Sequence, residues 1–139
     1  MSQITCPDKF SKNWQIAIGC AFERALTKYK EIYETGHCTT MGTWYGTGIY
    51  GFSANSKLIK EIKIFLAAGY GRYSPGTRYA SAHFSFDYQR YLPNNYQKVI
   101  CNDPKFDQTV NDEFIKSLQE MGVPGSDKLS AGVVQTGDL

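Results

Sequence analysis

The chain has 139 residues, 42% hydrophobic and 20% charged, which is enough to bury a core and unlike a disordered or collagen-like sequence. A net charge of +2 without any Lys/Arg run gives no signal for nucleic acid, and no stretch reaches the roughly 18 apolar residues of a membrane span. These numbers imply a soluble single domain.

The spacing of Trp14, Ile18, Ala21, Phe22, Ala25 and Tyr29 predicts a helix from about Ser11 to about Tyr29 or a little further, with Ser11 as N-cap. From Gly36 to Phe52 the five glycines cannot hold a helix, so short strands with tight turns are expected. Ser53 or Asn55 then caps a second helix carrying Leu58, Ile59, Ile62, Phe65 and Leu66, closed by Gly69. Turn residues punctuate 70–95, and Tyr79 to Tyr91 reads equally as helix or strand. A third helix is predicted from Pro104 to Met121, with Asp103 as N-cap and Phe106, Val110, Phe114, Leu118 and Met121 as its apolar stripe. Gly122 and Pro124 stop it. Residues 125–139 read as a loosely held tail beyond a single α+β domain over 1–124, with the strands gathered in a small Gly/Tyr-rich hairpin lobe.

Cys6, Cys20, Cys38 and Cys101 have no CxxC spacing and no histidine pattern beside them, so no metal site is expected. The start MSQITCPDKF lacks the layout of a secretory signal, so the expectation is a cytoplasmic protein with free thiols. A protein released by lysis or carried in a particle would be the exception. The aromatic content of 14% and the thirteen glycines are the more unusual figures. Flat amphipathic rings suit stacking on sugars or bases, and equally the packing of Gly-rich hairpins.

A carboxylate late on the first helix, followed by a Gly/Thr/aromatic hairpin, is an arrangement a glycosidase can use. Glu23 lies between Phe22 and the Leu26 turn, and Glu34 just precedes the hairpin, with Thr40 beyond it. On one continuous helix these two glutamates would stand about 16 Å apart, whereas catalysis requires about 5–9.5 Å. The pairing therefore requires the chain to leave the helix before Glu34.

The run Glu23, Leu26, Tyr29, then Tyr33-Glu34-Thr35-Gly36 and Thr40-Met41-Gly42-Thr43-Trp44-Tyr45-Gly46, resembles the phage-type lysozymes. Gly48-Ile49-Tyr50-Gly51-Phe52 and Asn102-Asp103-Pro104-Lys105-Phe106 are similar to segments of the related chitosanases. The interval from Glu23 to Glu34 is longer than in the phage enzymes. His37, Cys38 and Thr39 stand where chitosanases place an aspartate. The resemblance implies a lysozyme-like α+β fold and hydrolysis of a β-linked amino-sugar polymer, peptidoglycan or chitosan, without a cofactor. It makes Glu23 the general acid and Glu34 the residue that stabilises the oxocarbenium-like state or orients water, with Thr40 helping to place that water. Trp44, Tyr45 and Tyr50 would line the sugar groove.

Other readings use other residues. Gly46-Thr47-Gly48-Ile49-Tyr50 with Ser53 to Lys57 is similar to a run of polymerase-type ADP-ribosyltransferases, with His37 and Glu113 as the implied site. A Cys–His nucleophile would draw on Cys38 or Cys101 with His83. A Tyr/Gly-rich, near-neutral chain also suits a non-enzymatic subunit of a viral particle or filament, which would form a homo-oligomer.

Overall fold

A computed structural model describes residues 6–34, 46–78, 81–92 and 104–134. Three helices and a four-stranded antiparallel sheet make an α+β domain. Helix α1 spans Trp14–Glu34. Its N-cap is Asn13 rather than Ser11, because the Asn13 Oδ1 accepts the Ile16 N–H at 3.2 Å. The helix continues five residues past Tyr29 because the Lys30 to Glu34 stretch contains neither glycine nor proline to end it. Ala17, Ile18, Ala21, Phe22, Ala25 and Tyr29 form its buried stripe.

Helix α2, Lys57–Phe65, begins where the Ser56 hydroxyl accepts the Ile59 N–H at 3.2 Å, and it buries Leu58, Ile59, Ile62 and Phe65. It widens into a π-type turn over Leu66–Tyr70, which Gly69 ends at φ 108°. Helix α3 spans Pro104–Glu120; its predicted cap, Asp103, lies outside the described residues. At its C-terminus Gly122 adopts φ 73°, its N–H bonds the Gln119 carbonyl, and the Val123 N–H bonds the Leu118 carbonyl, both at 3.0 Å. That is the double bond of a Schellman cap.

The strands are β1 (Gly46–Tyr50), β2 (Gly71–Ser74), β3 (His83–Phe86) and β4 (Ser130–Val134), in the order β2-β3-β1-β4. They come from distant parts of the chain, so the sheet is not the local hairpin lobe expected between Gly36 and Phe52. Of that stretch, residues 36–45 lie outside the described residues and 46–50 supply β1. The segment left open between Tyr79 and Tyr91 resolves into β3 followed by a 3-10 turn over Tyr88–Tyr91.

The expected loose tail is also corrected as far as Val134. After a 3-10 turn at Ser126–Lys128, β4 pairs with all of β1, from Gly46↔Val134 to Tyr50↔Ser130. The Ser126 hydroxyl bonds the Val123 carbonyl at 2.6 Å and the Gln119 amide bonds the Ser126 carbonyl at 3.0 Å, which ties this turn to the end of α3.

The helices cover one face of the sheet. Ile49, Phe84 and Phe86 point into them, with Phe86 4.7 Å from the Phe114 ring and 5.3 Å from Phe22. A Cys6–Cys20 disulfide fastens the N-terminal segment to α1, with a Cα–Cα distance of 5.7 Å, in place of the free thiols expected at those positions. Phe10 reinforces that attachment: its N–H bonds the Met121 carbonyl at 2.7 Å and its ring meets Trp14 edge-on. Cys38 and Cys101 lie outside the described residues.

Candidate functional site

Side chains alternate across a strand, so the register that buries Ile49 and Phe84 turns their neighbours to the opposite face. There Tyr50 and Gly48 of β1 lie beside His83 and Ser85 of β3, Arg72 and Ser74 of β2, and Ser130 and Gly132 of β4. Among the described residues, the hydrophobic core lies on the other side, where Phe84 and Phe86 meet the Phe114 ring of α3. Local sequence makes the arrangement possible at one glycine. A Cβ on Gly48 would lie 2.9 Å from the His83 ring, so only glycine lets the imidazole rest on β1. Gly132 lies beneath Tyr50, whose ring would stand at an ordinary contact distance of 3.4 Å from a Cβ there.

The Tyr50 and His83 rings are 5.3 Å apart, inclined at 37°. Tyr50 is half-buried and His83 is buried. The His83 Nδ1 lies 3.1 Å from the Ser81 carbonyl oxygen, which can only accept, so Nδ1 is the donor of this bond. The face thus carries the half-buried ring of Tyr50, serine hydroxyls and the exposed Arg72, with the His83 ring buried beside Tyr50.

The residues expected to act together are not brought together. Glu23 is exposed on α1, and its backbone carbonyl accepts the Thr27 hydroxyl at 3.0 Å. It follows the solvent side of the helix, two turns on from Ile16, which is 52% exposed. Glu34 is also exposed and closes the same helix. Because α1 is unbroken between them, the axial rise separates the two residues by about 16 Å. The expected acid–stabiliser pair, which required a chain break before Glu34, does not form on this helix.

Thr40, Trp44 and Tyr45 lie outside the described residues. Tyr50 is described, but its ring is on the face turned away from the layer that holds α1, so it does not share a cleft with Glu23. Glu113, of the ADP-ribosyltransferase reading, sits within α3, where its carbonyl accepts the Ser117 hydroxyl at 2.8 Å; His37 is outside the described residues. On the same helix, desolvation pushes the Asp112 carboxyl above the ordinary aspartate range. It too belongs to the helical layer.

Compared with known proteins, the chain matches no family model, no curated protein and no solved structure.

Two features of the geometry escape sequence reading. His83 was visible as a candidate base for a cysteine, but its stacking on Tyr50 depends on a β1–β3 pairing between segments more than thirty residues apart. Likewise Phe65, Tyr70 and Tyr91 form a stack, with centroids 4.2 and 4.7 Å apart, at the edge of the core. The Tyr91 hydroxyl secures it on the Gly69 carbonyl at 2.6 Å. Turn residues around each tyrosine are legible, but not which rings they join. Among the described residues no three His, Cys, Asp or Glu side chains are grouped to hold a metal ion, and no helix is long and apolar enough to cross a membrane.

Proposed function

We propose that the chain holds a β-linked amino-sugar polymer, peptidoglycan or chitosan, along the outer face of its sheet, as a lysozyme-type α+β domain that binds glycan. The observation that carries this reading is the Tyr50–His83 pair, set over glycines on the face of the sheet opposite the helices. Pyranose rings present flat C–H surfaces and a rim of hydroxyls. Tyrosine complements both, with its ring against the C–H groups and its hydroxyl at the rim. Serine hydroxyls from β2, β3 and β4 extend the same surface. Cleavage by Glu23 as general acid is the stronger form of the proposal. The exposure of Glu23 and its distance from Glu34 weigh against it, so binding is the activity we assign.

The test is co-sedimentation with insoluble peptidoglycan and chitosan, run beside an assay for newly released reducing ends. Wild type should pellet with at least one polymer, Tyr50→Ala should lose several-fold in affinity, and no reducing ends should appear. Folded wild type that stays in the supernatant with both polymers would overturn the proposal. Reducing ends that vanish in Glu23→Gln would establish the hydrolase instead.

A particle or filament subunit is favoured by a separate observation. Ile16 and Ile64 are 52% and 58% exposed on α1 and α2, two helices linked by the Gln15 amide on Glu61. Sedimentation velocity across a concentration series separates the readings: assembly that Ile16→Ser or Ile64→Ser abolishes would support the subunit.

A further inference from the structure

We infer that the amino-sugar polymer held on this face carries carboxylates, and that Arg72 is the residue that reads them. The inference rests on the glycan-binding proposal and names the class of glycan within it. The four strands GTGIY, GRYS, HFSF and SAGVV contain no aspartate or glutamate, and Arg72 is their one Lys or Arg. Arg72 is exposed on β2 directly opposite Ser85, on the same face as Tyr50 and His83. Among the described residues it makes no ion pair. Of the two acidic residues in 46–92, Glu61 pairs with Lys57 at 3.2 Å, and Asp87, whose N–H bonds the Tyr70 carbonyl at 2.9 Å, forms no ion pair with Arg72.

A guanidinium is a planar fork that matches a carboxylate with two parallel hydrogen bonds. The neighbouring serine hydroxyl can hold the adjacent sugar. The ammonium groups of chitosan would meet repulsion here with no carboxylate to receive them. Arg72 therefore selects within the class that the aromatic pair accepts.

The experiment compares β-linked amino-sugar oligosaccharides of different charge, by titration calorimetry on the intact protein. Chitin oligosaccharides are neutral, chitosan oligosaccharides cationic, and hyaluronan oligosaccharides supply the carboxylate. Expected is an affinity order of hyaluronan, then chitin, then chitosan, with the first preference shrinking as salt rises. Arg72→Gln should lower hyaluronan affinity roughly tenfold or more, by a larger factor than it lowers chitin affinity, and Arg72→Lys should restore part of the loss. Equal affinity for hyaluronan and chitin, or a preference for chitosan, overturns the inference while leaving glycan binding in place. An Arg72→Gln variant that keeps the hyaluronan preference overturns it as well. Failure of folded wild type to bind any of the three overturns the inference and the proposal beneath it.

Discussion

Gly48→Ala tests the architecture of the outer face most directly. The residue is not at positive φ, so alanine fits its backbone and the effect comes from space alone. The new Cβ would lie 2.9 Å from His83 Cδ2 and 3.2 Å from both Cβ and Cγ of that side chain. Because two of the three close atoms sit at the root of the side chain, rotating the ring cannot relieve them all. The strands must separate or the imidazole must leave its seat.

Overpacking of this kind costs about 1–3 kcal/mol, and losing the Nδ1–H bond to Ser81 adds about 1 kcal/mol. Relief of the glycine entropy cost in a strand returns about 0.5–1 kcal/mol. The net is a destabilisation of about 1–3 kcal/mol, which lowers Tm by roughly 4–10 °C in a domain of this size. Gly132→Ala is the matched control. Its nearest approach to Tyr50 is 3.4 Å, so its stability should stay within about 0.5 kcal/mol of wild type. Thermal unfolding followed by near-ultraviolet circular dichroism reads both, and His83→Ala in the Gly48→Ala background should recover most of the loss. Equal melting of Gly48→Ala and wild type would falsify the claim that glycine is needed under the imidazole.

Three further perturbations have defined outcomes. Cys6→Ser opens a loop of sequence separation 14 and should cost about 3 kcal/mol by differential scanning calorimetry; an unchanged Tm under oxidising conditions would refute a stabilising disulfide. Glu61 has its carboxyl held below the ordinary value of 4.5, first by the Gln15 amide and then by Lys57, against an opposing desolvation. Its contribution is thus present above the ordinary glutamate range and is lost as pH falls through the depressed value. Urea unfolding through that acid range should show a shallower loss for Gln15→Ala than for wild type, and identical slopes would count against the bond. Tyr88→Phe removes the 2.7 Å hydrogen bond to Asn111, which is 2% exposed, and should cost about 1–3 kcal/mol in chemical denaturation.

The helices were legible because their information is local. The apolar spacing of α1, Leu58 to Phe65 in α2 and Val110 to Leu118 in α3 fixes which face is buried whatever it meets. Caps were legible only to within a few residues, since Ser11 and Asn13, or Ser53, Asn55 and Ser56, are chemically equivalent candidates. Which one bonds depends on where the chain turns. The sheet was the harder part. Ser130 to Val134 has small residues and no alternation of large apolar groups, and it becomes a strand because β1 offers it a full edge.

The disulfide was equally silent, because four irregularly spaced cysteines do not reveal a pairing. At the candidate site, Tyr50 was legible as an aromatic among glycines, whereas the roles of His83 and Arg72 appear only once β3 and β2 are in register. The expected use of Glu23 with Glu34 failed for a simple reason: nothing between those residues breaks a helix.

The pairing of β4 with β1 carries a consequence for how the protein is made. β1 is complete once residue 50 has left the ribosome, yet its second neighbour in the sheet is encoded some eighty residues later. Until then one edge of β1 presents unsatisfied N–H and carbonyl groups, although β3 can already close the other. Such long-range closure slows folding and exposes an edge to chains emerging alongside. The vulnerable interval in this protein's life is therefore synthesis itself, and helix α3, which packs against both β1 and β4, is the element placed to bring the two together.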